Sequence, residues 1–221
     1  VGEHPLVPPA IGVLMVMLAL AACGFAILRL KQRAIRRAWA EAAEALGGKL
    51  QVPPGKRTMV VHGAYRGYNA FLGEGVSFED AAPYYHTRGA LSIRNPAHVV
   101  LGLRHKSLLE EFLTRNELNA VPTGDPSFDR AFYLVVSTPE HVRLLIPENI
   151  RRVLARWNDV EVYVNGPQIA WRRASTVRSV KEMMALFEVI AGMADVLGNL
   201  PPRDLTPEQK HEEEKLIEHG V

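Results

Sequence analysis

From Ile11 to Leu28 the chain reads IGVLMVMLALAACGFAIL, 18 residues with no charge and no strongly polar side chain. Counted back to Pro5, the uncharged run is 24 residues long. At 1.5 Å per residue, about 20 apolar residues span the roughly 30 Å hydrocarbon core of a bilayer. Lipid offers the backbone no hydrogen-bond partner, so such a run must satisfy its own N–H and C=O groups as a helix. The expectation is a transmembrane helix over residues 11–30, preceded by a short outer segment, residues 1–10.

The charges on either side set the expected orientation. Arg29, Lys31, Arg33, Arg36 and Arg37 follow the span with no acid before Glu41, whereas residues 1–10 hold one acid, Glu3, and no Lys or Arg. Basic flanks stay on the cytoplasmic side. This predicts a single-pass protein of the inner (cytoplasmic) membrane, N-terminus out and C-terminal domain in the cytoplasm. The same five residues are candidate contacts for anionic lipid head groups, each worth about 1 kcal/mol near the surface. A rival reading takes Leu20-Ala21-Ala22-Cys23 as a lipobox. Against it, the basic cluster lies on the wrong side for a signal, and apolar residues continue past the cysteine to Leu28.

Within the span, a wheel at 100° per residue gathers Gly12, Ala19, Ala22, Cys23 and Ala26 on one side, with Leu14, Met17, Leu18, Phe25 and Leu28 largely opposite. Two apolar helices in lipid associate through close packing at small residues. The small side is therefore the expected contact with other transmembrane subunits of a membrane complex.

Residues 31–47 read as a juxtamembrane continuation of the helix, rich in Ala, Arg and Glu, with no Gly or Pro before Gly47. Ile35, Trp39, Ala42 and Leu46 recur on one face, a stripe expected to pack on the soluble domain, and Gly47-Gly48 supplies a stop. One helix from about 10 to 46 would be about 55 Å long.

Residues 48–200 read as one soluble α+β domain, a mainly antiparallel sheet packed with helices. Strands are expected at 59–65 and 68–72 around an Arg66-Gly67 turn, then at 84–93, 99–104 and 133–137. Residues 73–83 read as an exposed loop, and 106–113 as one or two helical turns. Two further strands, 160–164 and 168–172, flank Asn165-Gly166. Short helices are expected at 139–145 and 147–157, and a long core helix at 177–197 with Val180, Met184, Phe187, Ile190 and Leu197 on its apolar face. A domain of this size has a core of its own, so residues 48–200 are expected to fold without detergent. Residues 201–221 form a polar tail; Thr206-Pro207-Glu208-Gln209 is a capping-box signature, and Leu216 and Ile217 are the tail's candidate docking residues.

No catalytic, cofactor-binding or metal-binding residue is predicted. The eight histidines contain no HxH or HxxxH pair, and the one cysteine lies in the span, where it reads as an inert packing residue. Asp125 suits a helix cap, Phe128 and Phe132 suit a core, and Asp129 is expected to face solvent or an arginine. Gly73-Glu74-Gly75 lacks the lysine of a phosphate loop, and Ser77 lacks a nucleophile elbow. A net charge of +2 argues against a general nucleic-acid binder.

The segment Thr123-Gly124-Asp125-Pro126-Ser127-Phe128-Asp129-Arg130-Ala131-Phe132, the strand pair around Gly63 to Gly67, the Leu144-Leu145 helix and the last amphipathic helix together resemble a group of bacterial single-span membrane proteins. Those proteins carry a cytoplasmic α+β domain with a TGDxxFDxxF segment. The resemblance covers about residues 40–200 and implies a fold, with no assigned activity. The function expected from these features is a non-enzymatic accessory or assembly subunit of a larger membrane complex. The alternative is a stand-alone membrane-tethered ligand-binding or signalling adaptor. Perturbed acids and histidines in one cleft would instead point to a hydrolase.

Overall fold

A computed structural model describes residues 9–52, 58–79, 82–106, 120–209 and 211. Helix α1 runs from Pro9 to Ala45 without a break, 37 residues and so about 55 Å. The first proline sits where a helix needs no N–H donor. Its other end closes as a Schellman motif. Gly47 takes φ 61°, its N–H donates to Glu44 O at 2.9 Å, and the Gly48 N–H donates to Ala43 O at 2.8 Å.

Eight strands follow: β1 (Lys49–Gln51), β2 (Val60–Tyr65), β3 (Tyr68–Glu79), β4 (Ala82–Ser92), β5 (Leu101–His105), β6 (Phe132–Val136), β7 (Val160–Asn165) and β8 (Gln168–Arg173). They form one antiparallel sheet in the order β1-β2-β3-β4-β8-β7-β5-β6. The helices after α1 are α2 (Pro126–Ala131), α3 (Val142–Leu145), α4 (Glu148–Leu154) and α5 (Val180–Asn199). The α+β architecture read from the sequence is the one observed.

One face of the sheet carries the core. Val61, Leu72, Leu91, Leu101, Val162 and Trp171, one residue from each of six strands, are at most 1 % exposed. Helix α5 lies across them, touching β4 and β8, and in turn packs against α1, α3 and α4. Its buried surface is wider than the predicted stripe. Met183, Leu186, Val189 and Met193 are buried beside Phe187 and Ile190, because three helices and the sheet enclose it from different sides. The Ser179 hydroxyl caps it by accepting from the Glu182 N–H at 3.3 Å.

Three sequence expectations change. Residues 73–79 are strand, not loop: β3 pairs with β4 as far as Glu79↔Ala82. The glycines that suggest a loop are close-approach positions. A Cβ on Gly73 would fall 2.6 Å from the Phe71 ring, and one on Gly75 would fall 2.3 Å from the His86 ring. Second, β1 was not expected; three residues are too few to show alternation, and only pairing with β2 makes them a strand. Third, Asp129 is half-buried and is tied back to its own loop rather than to an arginine. Its Oδ1 accepts from the Thr123 N–H at 2.9 Å and the Thr123 hydroxyl at 2.7 Å. Of the expected 106–113 turns, all but Lys106 lie outside the described residues, as do Leu216 and Ile217. The tail's capping box is present. Thr206 N donates to Gln209 Oε1 at 3.1 Å, and Gln209 N donates to Thr206 Oγ1 at 3.3 Å.

Candidate membrane-contact site

Along α1 the environment changes abruptly. Ten of the twelve large hydrophobic residues exposed among the described residues lie between Val13 and Leu30. The window long and apolar enough to cross a membrane is wholly uncovered by the rest of the chain. An apolar surface this large is not what a water-soluble monomer leaves exposed. Ala19, Ala22, Cys23 and Ala26 are exposed, as are Met17, Leu18, Phe25 and Leu28 on the other side; Gly12 falls in the same helix. Where described, the small and bulky sides of the wheel are thus both exposed.

Arg29, Lys31, Arg33, Arg36 and Arg37 are all exposed. Two of them have partners on α1: the Arg29 guanidinium lies 4.8 Å from the centre of the Phe25 ring, and Arg37 Nε donates to Glu41 Oε1 at 3.0 Å. An exposed pair of that kind is worth only about 0.3–0.5 kcal/mol, so it does not hold Arg37 back from a lipid phosphate.

The last turns of α1 belong to the core. Trp39, Ala42 and Leu46 are fully buried, and Ala43 nearly so, as the stripe at helical spacing predicts. The indole Nε1 of Trp39 donates to Val177 O at 3.1 Å, just ahead of α5. The Ala64 N–H of β2 donates to Leu46 O at 2.7 Å. The N–H of Val177 in turn donates to Thr87 Oγ1 at 2.8 Å, and Thr87 Oγ1 donates to Ser175 O at 2.9 Å. Through Trp39 and Thr87 the apolar helix is joined to the central strands without a hinge. Thr87 carried no signal in the sequence, since a buried threonine is recognisable only from what lies next to it.

At the far end of the domain the β2–β3 hairpin is tied to α5. Arg66 (φ 51°) and Gly67 (φ 86°) make the two-residue turn. A left-handed arginine is strained, and its guanidinium is held by Glu188 at 2.9 Å and Asp195 at 2.8 Å. The hydroxyls of Tyr65 and Tyr68 donate to the same two carboxylates, at 2.9 and 2.7 Å. Burial first, and the carboxylate hydrogen bonds second, push both phenols up to about 12. The two acids lie seven apart, two turns of α5, and so share the helix face that meets the hairpin.

The sheet face opposite the core carries a cross-strand row, Arg88–Arg172–Glu161–Arg104 by register. Arg172 pairs with Glu161 at 2.7 Å, and Arg88 reaches Gln168 and the Tyr163 ring. At the edge of β8, Arg173 joins Asp159 at 2.8 Å and Glu182 at 2.8 Å. Asp125 caps α2, accepting from the N–H groups of Ser127 and Phe128 at 3.0 and 3.2 Å and from Arg151 at 3.3 Å. The Ser127 hydroxyl bond, the Phe128 N–H and Arg151 hold its carboxyl below the usual range. Phe128 and Phe132 stack at 4.4 Å in the core, as their spacing predicts. These acids and bases are engaged with one another. Among the described residues, no group of three or more His, Cys, Asp or Glu is placed to hold a metal ion.

No family model matches this sequence, and no curated protein matches it. In three dimensions the chain is similar to the crystal structure of the mycobacterial trehalose monomycolate transport factor A, TtfA. The TM-score is 0.51 at 15% identity, over 78% of this chain and 99% of that one. What the chain shares with that transport factor is the α+β fold.

Proposed function

We propose that this chain is a non-enzymatic accessory subunit of a membrane transport complex, held by α1 as a single span. The outer segment lies across the membrane and the α+β domain sits on the cytoplasmic face, an orientation that the basic flank at 29–37 supports. The observation that carries this reading is the pair of environments on α1. A fully uncovered apolar length continues, without a joint, into turns buried at the centre of the domain. A protein built this way transmits the position of its span to its domain, which suits a part that must hold others in register. The likeness to a transport factor supports the transport setting, and the mutual pairing of the domain's charges supports a non-enzymatic role.

In this reading the side of the span with Gly12, Ala19, Ala22, Cys23 and Ala26 meets a neighbouring transmembrane helix, and the basic flank meets anionic lipid. Purification in mild detergent followed by mass spectrometry of companions tests it. Transmembrane transport proteins should accompany the wild type. Ala19→Leu with Ala26→Leu should leave the protein inserted but release them, while Leu14→Ala with Leu28→Ala should release far less. Companions that persist with the first pair, yet vanish when the domain is removed, would reduce the span to a tether. Recovery of the chain alone from native membranes would refute the subunit assignment.

A further inference from the structure

The bond from Trp39 to Val177 fixes which end of α5 lies nearer the span. Helix side chains lean back towards the start of their helix. Val177 is therefore level with Trp39 or with the turn before it. At the other end, Leu46 meets Ala64. The hairpin turn two residues on, at Arg66, is held by Glu188 and Asp195 of α5. Helix α5 thus runs away from the span, in the same sense as α1, and its first turn is the end nearer the membrane.

That end carries two basic residues. Arg178 follows Val177 and Lys181 lies in the first turn of α5, and both are exposed. The acids nearby are engaged: Asp159 and Glu182 with Arg173, at 2.8 Å each, and Glu41 of α1 with Arg37 at 3.0 Å. Arg178 and Lys181 are left without a carboxylate partner among the described residues. From Leu30, where the span ends, to Trp39, α1 advances nine residues, about 14 Å at 1.5 Å each. Lipid head groups occupy about 5–7 Å of that height. The remaining distance of about 7–9 Å is close to the Debye length, about 8 Å at physiological salt. Lys181 leans back towards the start of α5, here the membrane side, and shortens it further. Both charges are therefore within range of the head groups.

We infer that Arg178 and Lys181 are a second contact with anionic lipid head groups, beside the basic flank of α1 and resting on the reading of α1 as a membrane span. The packing of α5 on α1 brings the two basic patches together. Packed helices lie about 8–10 Å apart, so this contact stands off the axis of the span. A contact on the axis alone leaves the domain free to lean. One beside it holds the α5 side of the domain down towards the surface.

The test uses the full chain in lipid nanodiscs of phosphatidylcholine, alone or mixed with phosphatidylglycerol. In a Cys23→Ser background, single cysteines at the exposed positions Ala174, Ala64 and Val16 carry an environment-sensitive fluorophore. Nitroxide quenchers are placed on the head group or deep in the acyl chain. In the mixed discs the head-group nitroxide should quench the Ala174 label several-fold more than the Ala64 label beside the hairpin turn. Arg178→Gln with Lys181→Gln should remove most of that excess, and Arg178→Lys with Lys181→Arg should keep it. The urea midpoint should stay put in both, since the two side chains are exposed. Ala174 quenching no greater than Ala64, unchanged by the glutamine pair, or as strong in phosphatidylcholine alone overturns the contact. So does an excess lost only together with a lowered midpoint. In each case a Val16 label still quenched from the acyl chain leaves the anchor standing. An unquenched Val16 overturns the anchor, and the second contact with it.

Discussion

Two lengths of the same helix, Val13 to Leu30 and Trp39 to Leu46, differ in what their apolar residues touch. In the first, side chains on every side of α1 are exposed; in the second, one stripe is buried to the last atom and the remainder, such as Glu41 and Glu44, is in water. A helix that is apolar all round needs an apolar surrounding, whereas one that is apolar on a stripe needs a partner on that side. The secondary structure is identical, so the contrast lies in the distribution of side chains around it. Removing a methyl group from the first length changes contact with lipid or a neighbour. Removing one from the second leaves a hole in the domain.

Truncation should break the comparison most severely. A chain beginning at Gly48 loses Trp39, Ala42, Ala43 and Leu46 from the core, while one beginning at Lys31 keeps them and sheds the apolar length. The second is expected to be soluble, with cooperative urea unfolding and a dispersed amide spectrum; the first is expected to be molten or insoluble. This replaces the expectation that residues 48–200 fold alone, since the sequence does not reveal how much of the core α1 supplies. If the shorter chain unfolds cooperatively at the same urea midpoint, the burial of Trp39 is incidental.

A single substitution sharpens the same point. Trp39→Ala should cost about 3–5 kcal/mol of unfolding free energy, from lost volume and the lost bond to Val177 O. Phe25→Ala, on the exposed length, should shift the domain's stability by less than about 0.5 kcal/mol. Chemical denaturation of both variants in detergent gives the comparison directly, and equal costs would show that the two lengths are not distinct.

Charge inserted into the first length tests the other half. Val16→Lys should disfavour membrane insertion by about 2.5–3.5 kcal/mol, read as a shift from membrane to soluble fractions. The unfolding midpoint of the domain should not move. A domain destabilised by Val16→Lys would mean that the apolar length packs on it.

The smallest effect concerns Glu74 of β3, opposite Thr87. Burial raises its pKa above the ordinary 4.5, although the Met59 N–H and the Thr176 hydroxyl bond pull it down. A raised carboxyl binds more protons folded than unfolded, so stability falls as pH rises from 4.5 through the folded value, and the loss is complete above it. Glu74→Gln removes that slope while Oε1 still accepts from Met59 N. Its melting temperature should sit slightly above wild type at neutral pH and its profile should be flatter across that window. A steeper profile would show that the carboxylate is the favoured form there.

Much of this arrangement was legible one residue at a time. Arg66-Gly67 announced its turn, Asp125 its cap and Gly47 its helix stop, because each follows from the backbone or side chain of neighbours in sequence. The strands were harder where glycine and acid interrupt the alternation. Gly73-Glu74-Gly75 resembles a loop until the rings of Phe71 and His86 are seen to need the space that two Cβ atoms would fill. Most of the candidate contact residues, Ala19 to Ala26 and Arg29 to Arg37, could be named from composition and spacing. Thr87, the bond from Trp39 to Val177 and the tie from Arg66 to Glu188 and Asp195 could not, since they join residues up to 138 positions apart.

The sequence by itself determined that an uncharged run of membrane-crossing length exists, that a basic flank follows it, and that a half-apolar stripe continues the helix. Those properties are sums and periodicities over adjacent residues, and they hold whatever the rest of the chain does. Only the tertiary structure decided that eight strands join in one sheet with β5 between β7 and β6, and that the stripe meets α5 and β2. Each of these depends on which distant surfaces bury one another most completely, a choice made by three-dimensional complementarity, which no local pattern encodes.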